Sequence, residues 1–252
     1  MASTESGDVM VSCAASSPAA TSTGEDREVY RTGRGGNCTW TTRKANIVCL
    51  VWGEKDSTLE AISPESGKAE PLGAIAGTCI PGSCPYVERL SGDDQALYFL
   101  RIRQGGHALS RWHFGRRKEE LVLDGIESSN GWPFVSADER WLVRVRRQNL
   151  EVMPLSGGPW TQVSAGSGDE FAVTPDGSWI YFHGTGADGT HGLFRVAARG
   201  GAAERVGEFP VASGSGALRI SPDGRKIVVA AYDSSNAFET WALENFVPGG
   251  KQ

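Results

Sequence analysis

A four-residue motif recurs along the chain, and its spacing limits the fold more than any other feature of the sequence. Each copy begins with Ser or Thr, has Asp two residues later and precedes an apolar run. The copies occupy residues 91–94, 136–139, 174–177 and 221–224. Their first residues are 45, 38 and 47 positions apart. Because repeats of about 40 residues with several short strands per unit are typical of β-propellers, we predict an all-β propeller of four-stranded antiparallel blades.

The chemistry of this motif, hereafter the turn motif, is that of a β-turn. In the two clearest copies Pro follows the Ser or Thr, and Gly follows the Asp. Pro fixes φ at the value that a turn requires, Asp accepts hydrogen bonds from nearby backbone amides, and Gly adopts positive φ at little cost. We therefore interpret the aspartates as structural rather than catalytic. Glu139 replaces Gly in the second copy, which predicts a different turn there.

Five units of strands and turns can be traced, and the sequence leaves a sixth open. The last unit has only three strands, and we expect a strand over Arg27–Thr32 to complete it; further blades upstream are the alternative. Residues 1–26 are rich in Ser, Ala, Thr and Gly, which predicts a flexible N-terminal segment with at most one strand, over residues 8–13. The propeller domain is predicted over residues 28–248.

Composition places the chain among folded proteins and excludes two classes of partner. Hydrophobic residues make up 39% and charged residues 22% of the 252 residues, as in globular domains. The net charge of −5 provides no basic field, so we expect neither nucleic acid nor an anionic lipid surface as a partner. Basic residues cluster at positions 116–118 and 144–147, where we interpret them as solvent-facing strand ends.

Segments that would target the chain to a membrane are not found in the sequence. No apolar stretch approaches the roughly 20 residues that a transmembrane helix needs. The N-terminus also has neither the basic nor the apolar region of a signal peptide. We therefore expect either a cytoplasmic protein or a piece of a longer one.

Four of the five cysteines have spacings that suit disulfides. Cys38 and Cys49 flank a length suited to two antiparallel strands and their turn, and Cys79 and Cys84 bracket a Pro-Gly loop. Both spacings allow disulfide geometry; buried reduced thiols, the usual state in a cytosolic protein, are the alternative. A zinc site is not expected, because the spacing is not CxxC and no histidine lies near these cysteines.

Two histidines and two tryptophans are the candidate binding residues. His183 and His191 fall on or beside one predicted hairpin and could face each other. A metal site there would need a third ligand, for which Asp188 is nearest in sequence, and surface histidines of a loop are the alternative. Trp132 and Trp160 each adjoin a proline near a strand end, and we predict that they lie on an exposed binding rim.

The repeats resemble those of the TolB-type, WD-like propeller family. Residues 174–201 and 221–226 match it best, with a Ser/Thr-Pro-Asp-Gly turn before an apolar strand, and Gly-Gly before the last strand of the unit. The likeness covers residues 85–248 well and residues 28–75 more loosely. It implies a propeller that usually has six or more blades.

A narrower resemblance concerns residues 239–248 and 38–50. They look like parts of propellers fused behind bacterial serine/threonine kinase or winged-helix regulator domains. Such chains often combine a cytoplasmic effector, a membrane span and an external propeller. The resemblance therefore implies a periplasmic or extracellular location if this chain is a piece of such a protein, and a cytoplasmic one otherwise. No kinase motif occurs in the chain, so only the propeller is carried over.

These observations favour a non-enzymatic domain, a sensor or scaffold that binds a protein, a peptide or a cell-envelope ligand without a cofactor or metal. The alternative is a propeller-type lyase or hydrolase that uses the region of His183 and His191, or the gating domain of a hydrolase. The sequence contains no GxSxG nucleophile elbow. Adjacent carboxylates such as Asp93 and Asp94 would point to opposite faces of a strand, so they could not act together.

Overall fold

The structure is a computed structural model, and every element that it describes is a β-strand. None of the described elements is a helix long and apolar enough to cross a membrane. The chain divides into two compact units, Met1–Glu127 and Ser128–Gln252. The described residues are 9–13, 27–32, 34–41, 46–77, 84–103, 106–127, 133–186, 189–207, 218–221, 223–232 and 238–244.

The first unit contains one strand pair and two four-stranded sheets. The N-terminal pair consists of β1 and β2, sheet 1 of β3 to β6, and sheet 2 of β7 to β10. The strands are β1 (Val9–Cys13), β2 (Arg27–Thr32), β3 (Gly36–Trp40), β4 (Ile47–Val51), β5 (Asp56–Ile62), β6 (Ala69–Ala76), β7 (Tyr86–Leu90), β8 (Ala96–Arg103), β9 (Gly106–His113) and β10 (Lys118–Glu127).

The second unit contains two four-stranded sheets and one sheet with three described strands. Sheet 3 consists of β11 to β14, sheet 4 of β15 to β18, and sheet 5 of β19 to β21. The strands are β11 (Phe134–Val135), β12 (Trp141–Arg146), β13 (Asn149–Pro154), β14 (Thr161–Ala165), β15 (Ser167–Val173), β16 (Trp179–Thr185), β17 (His191–Ala197), β18 (Glu204–Gly207), β19 (Leu218–Ile220), β20 (Lys226–Tyr232) and β21 (Phe238–Glu244).

Each sheet is a meander in which consecutive strands are antiparallel neighbours. The first strands of neighbouring sheets also contact each other: β3 contacts β7 in the first unit, and β15 contacts β19 in the second. Sheets of four antiparallel strands that follow one another in this way are the blades of a propeller. The predicted fold class, an all-β propeller of four-stranded antiparallel blades, is confirmed.

The hydrophobic core lies between neighbouring sheets. In the first unit, Leu50 of sheet 1 packs in one cluster with Leu97 of sheet 2. In the second unit, Val152 of sheet 3 packs in one cluster with Phe182 of sheet 4. All four side chains are buried. Successive side chains of a strand point to opposite faces of the sheet. A sheet that lies between two others can therefore bury apolar side chains on both of its faces.

The N-terminal pair packs on sheet 1. β2 pairs with β1, whereas we expected it to complete the last unit. Val29 of β2 lies in one apolar cluster with Ile47 and Ile62 of sheet 1. The Tyr30 hydroxyl donates a hydrogen bond to Glu60 at 2.5 Å. Burial and the Glu60 carboxylate raise the pKa of Tyr30 to about 12, so this bond keeps its proton across the neutral range.

The four copies of the turn motif share one backbone conformation. In each copy the amide of the fourth residue donates to the carbonyl of the first, with N···O distances of 2.8–3.0 Å. The fourth residue has φ between 57° and 70° in every copy. The prediction of a different turn at Glu139 is therefore wrong. Glu139 adopts φ of 58°, in the left-handed region that Gly occupies at lower cost.

Hydrogen bonds of the first and third residues hold each turn motif together. The Ser or Thr hydroxyl donates to the Asp carboxylate at 2.5–2.7 Å and accepts from the amide five residues after it at 2.9–3.0 Å. In sheet 1 the Thr41 hydroxyl accepts from the amide of Asn46 at 2.9 Å in the same manner. This counterpart could not be predicted from the motif, because Arg43, not Asp, follows Thr41 by two residues.

Gly177 tests how closely neighbouring turn motifs pack. A Cβ at Gly177 would collide with the Asp138 carboxylate of the preceding motif, whereas a Cβ at Gly224 would make an ordinary contact of 3.5 Å with Pro175. We expect Gly224→Ala to destabilise the protein by about 1–2 kcal/mol through its left-handed backbone alone. Gly177→Ala should cost about 1–3 kcal/mol more because of the added overpacking.

Urea unfolding of the two glycine variants measures this difference. Gly224→Ala is the matched control, since both glycines occupy the same motif position with φ of 66° and 70°. Equal losses of stability would show that Asp138 moves aside at no cost, and that the close approach of the two motifs does not explain the Gly at position 177.

Candidate binding rim

The sheets of the second unit have two ends, which carry different polar side chains. The turn motifs connect the first strand of a sheet to the second and form one end, hereafter the turn rim. The connections β12–β13 and β16–β17 lie at the opposite end, hereafter the hairpin rim. The described part of the hairpin rim comprises residues 146–149, 165–166, 183–186 and 189–192.

Carboxylates of the turn rim are engaged within the fold. The Thr174 hydroxyl, with help from Ser178, holds the pKa of Asp176 below its usual value. The Ser221 hydroxyl does the same for the pKa of Asp223. Asp138 accepts from Ser136 and pairs with Arg140. These bonds support the structural interpretation of the motif aspartates.

The lowered pKa of Asp176 predicts a loss of stability in acid. The folded state holds this carboxylate ionised more strongly than the unfolded chain does, so its contribution is complete above the unfolded pKa of about 3.9. The contribution disappears as the pH falls through that value towards the lower folded pKa. We therefore expect Asp176→Asn to lose stability at pH 6 and much less at pH 3.

Urea unfolding at the two pH values measures this effect. Glu65→Gln, on an exposed turn of sheet 1, is the control and should follow the wild type at both. A constant deficit of Asp176→Asn from pH 6 to pH 3 would contradict the role given to its charge.

The structure brings His183 and His191 together on the hairpin rim. Their rings stack with centroids 6.3 Å apart and planes inclined by 19°. His191 lies opposite Thr185 in the β16–β17 register, and its Nδ1 is 3.1 Å from the Thr185 hydroxyl. Burial and the neighbouring His191 both lower the pKa of His183. At neutral pH His183 is therefore an uncharged ring, half-buried beneath an exposed His191.

The β14–β15 connection, which joins sheets 3 and 4, also lies on the hairpin rim. The Thr185 amide donates to the carbonyl of Gly166 at 2.8 Å, which extends the β15–β16 pairing into this connection. On the other side of His191, the Arg205 guanidinium donates to the His191 carbonyl at 3.4 Å. Thr185, His191 and Arg205 are all exposed. Three exposed polar side chains thus lie on three neighbouring strands of sheet 4, β16, β17 and β18.

The β12–β13 connection is the second exposed feature of the hairpin rim. Arg146 pairs with Asn149, which leaves a two-residue turn of Arg147 and Gln148. Both turn residues have positive φ, 51° and 62°, as in a type I′ turn. Both side chains are exposed. Arg147 was predicted only as a solvent-facing residue at a strand end, because no Asn-Gly or Asp-Gly pair indicates a type I′ turn there.

Trp160 lies away from the histidine pair. It follows β13 on the connection to β14, at the end of sheet 3 opposite the β12–β13 turn. The Arg144 guanidinium lies 3.9 Å from the centre of its ring and donates to Glu151 at 2.8 Å. Arg144 is only 1% exposed, so its interpretation as a solvent-facing residue is wrong. Trp160 is half-buried and covers this internal ion pair.

The remaining candidates divide between the described residues and those outside them. Cys38 and Cys49 lie directly opposite each other on β3 and β4 and form a disulfide, as predicted. Cys84 is also disulfide-bonded. Its proposed partner Cys79 lies outside the described residues. Trp132, a predicted rim residue, and Asp188, the suggested third metal ligand, lie outside them as well. Within the part of the chain that the structure describes, no three His, Cys, Asp or Glu side chains are grouped to hold a metal ion.

Comparison with known proteins identifies the fold. No family model and no curated protein matches the sequence. TolB from Acinetobacter baumannii is similar in structure, with a TM-score of 0.62 and 12% identity over 89% of this chain and 56% of that one. A TolB candidate from Agrobacterium tumefaciens has a TM-score of 0.62 and 18% identity over 88% of this chain and 81% of that one. Oligogalacturonate lyase from Vibrio parahaemolyticus has a TM-score of 0.55 and 11% identity over 88% and 70%.

These similarities establish a TolB-like propeller fold and leave the activity open. The chain spans little more than half the length of the Acinetobacter TolB. The similar structures include both TolB and a lyase. Because one fold hosts many functions, function has to be argued from the side chains of the site.

Proposed function

We propose that this domain is a non-enzymatic propeller that binds a protein, a peptide or a cell-envelope ligand at its hairpin rim. The observation that carries the proposal is the difference between the two rims of the second unit. The aspartates of the turn rim are bound within the fold. On the hairpin rim Thr185, His191 and Arg147 expose their side chains from strand ends and a tight turn. Groups held in place before binding lose less conformational entropy when a ligand arrives.

The chemistry of the hairpin rim suits a polar ligand with a flat or apolar part. The exposed His191 ring, nearly parallel to that of His183, offers a stacking surface. The Arg205 guanidinium beside the His191 carbonyl adds donors, and the Thr185 hydroxyl adds a group that both donates and accepts. A peptide supplies partners for all three groups through its carbonyls and side chains.

A random-peptide display library tests the proposed function directly. Peptides selected on the wild-type domain should bind at least 10-fold more weakly to the Thr185→Ala, His191→Ala double variant. Arg225→Ala is the matched control: it removes an exposed side chain on the turn rim and should bind as wild type does. Circular dichroism confirms that the variants are folded. Enrichment of no peptide, or of peptides that bind all three proteins equally, would count against a binding site at this rim.

A sensor role is part of the same proposal and rests on the resemblance of residues 239–248 and 38–50 to propellers fused to signalling domains. The native start codon and the sequence upstream of it test this part. An in-frame kinase or winged-helix segment with a membrane span would support a sensor. A start at Met1 would remove the sensor part and leave the binding proposal intact.

A second candidate function is catalysis by the histidine pair. The lowered pKa of His183 favours it, because a neutral imidazole can accept a proton at physiological pH. Turnover of oligogalacturonate or of simple esters and lactones by the wild type, lost in His183→Ala, would support a lyase or a hydrolase. Lack of turnover with and without added Mn²⁺, Ca²⁺ or Zn²⁺ would favour the binding function.

A further inference from the structure

The β12–β13 turn has a backbone that its residues do not favour. Type I′ turns place two successive residues at positive φ, and Asn-Gly or Gly-Gly is preferred there for that reason. This turn holds Arg147 and Gln148 in that conformation. Strained residues in surface turns cluster at binding sites, because a binding side chain is retained in spite of its cost to stability. The β12–β13 turn is therefore a candidate binding site.

The charges around this turn point to an anionic ligand. Arg147 is exposed, and it forms no ion pair with any residue that the structure describes. Residues 134–165 contain three acidic side chains, and none of them lies at this turn: Glu151 binds the buried Arg144, and Asp138 and Glu139 lie on the turn rim, where Asp138 pairs with Arg140. Arg147 thus presents an uncompensated guanidinium at the tip of the turn.

We propose that the β12–β13 turn binds carboxylates of an acidic segment in a partner polypeptide. This inference rests on the proposed binding function and names the chemistry of its ligand. An Arg guanidinium binds a carboxylate through two parallel hydrogen bonds, and the rigid turn fixes the direction in which Arg147 leaves the sheet. A single exposed guanidinium suffices for one carboxylate, whereas a nucleic acid requires basic groups along several successive phosphates.

The test replaces the turn by its preferred sequence. Arg147→Asn with Gln148→Gly keeps the type I′ backbone, which Asn-Gly favours, and removes the Arg147 guanidinium. We expect the melting temperature of this variant to rise by about 2–4 °C for a chain of this length, because Asn and Gly adopt positive φ with less strain than Arg and Gln do. Binding of fluorescein-labelled hexaglutamate is measured by fluorescence anisotropy at low salt. The turn variant should bind this peptide at least 10-fold more weakly than the wild type. Binding by the wild type should itself weaken when salt is added.

Arg199→Asn is the matched control, because Arg199 is an exposed Arg on the β17–β18 turn at the opposite rim and is not at positive φ. It should bind hexaglutamate as the wild type does. Failure of the wild type to bind hexaglutamate, or equal binding by the turn variant, would overturn the inference. An oligothymidylate of equal charge that binds as tightly as hexaglutamate would overturn the assignment to carboxylates.

The outcome also separates this inference from the proposed function. Library peptides that depend on His191 and not on Arg147, together with no binding of hexaglutamate, would overturn the acidic-ligand inference and leave the binding function standing. If the wild type bound neither library peptides nor hexaglutamate, both the acidic-ligand inference and the proposed binding function would be overturned.

Discussion

Replacing Arg144 by alanine should destabilise the protein by about 3–5 kcal/mol, the cost of breaking a buried ion pair. Arg144 is 1% exposed, and its partner Glu151 is 14% exposed at 2.8 Å. Without the guanidinium, the Glu151 carboxylate stays inside the protein with no compensating charge. The stacking of Arg144 on Trp160 at 3.9 Å is lost as well. Urea unfolding followed by tryptophan fluorescence measures the change.

Two further variants separate the buried charge from the rest of the site. Lys68→Ala breaks the ion pair with Glu70, whose side chains are 75% and 69% exposed, and should change stability by no more than about 1 kcal/mol. Arg144→Met combined with Glu151→Leu removes both charges and should recover most of the loss, because apolar residues often replace a buried pair without cost. A double variant as unstable as Arg144→Ala would show that packing against Trp160, rather than the unpaired charge, dominates.

The turn motifs explain why so much of the fold could be predicted. Each motif carries its own hydrogen bonds within six residues, so its residues report its geometry directly. The apolar runs that follow the motifs could be predicted as strands from local sequence as well. Glu139 shows the limit of such reasoning, because the bonds of Ser136 and Asp138 hold the turn strongly enough to impose positive φ on a residue other than Gly.

Interactions between strands were harder to predict than the strands themselves. In sheet 2 the Arg111 guanidinium contacts the Tyr98 hydroxyl at 3.3 Å and Glu120 at 2.9 Å. In sheet 4, Arg195 lies between Tyr181 and Glu204 in the corresponding register. Both tyrosines lie seven residues after the first residue of a turn motif. That shared offset was a usable signal, whereas the positions of the arginines depend on hairpin lengths that vary between units.

The candidate site was predicted only in part, for a physical reason. His183 and His191 lie on one hairpin, and an antiparallel pairing brings such residues together whatever the loop between them does. The burial of Arg144 under Trp160 depends on contacts across sheet 3, which no local pattern encodes. The type I′ turn between β12 and β13 was not predicted, because such turns are predicted from Asn-Gly, Asp-Gly or Gly-Gly rather than from Arg147 and Gln148.

The disulfide between Cys38 and Cys49 should contribute about 3 kcal/mol to stability, because it closes a loop of 11 residues in the unfolded chain. Cys38 and Cys49 join the first two strands of sheet 1, and the buried Cys49 also lies in the cluster that packs against Val29 of the N-terminal pair. We therefore expect Cys38→Ala with Cys49→Ala to lower the free energy of unfolding by this amount plus a smaller packing loss.

Comparison with and without reductant isolates the crosslink from the packing. Under reducing conditions the wild type also lacks the bond, so the remaining gap to the double variant measures only the two missing thiols. The excess gap under oxidising conditions is the contribution of the disulfide. Reductant also opens the bond of Cys84 in both proteins, which cancels in this difference. Equal gaps under the two conditions would mean that the bond leaves the unfolded chain as free as before, and that Cys38 and Cys49 act through packing alone.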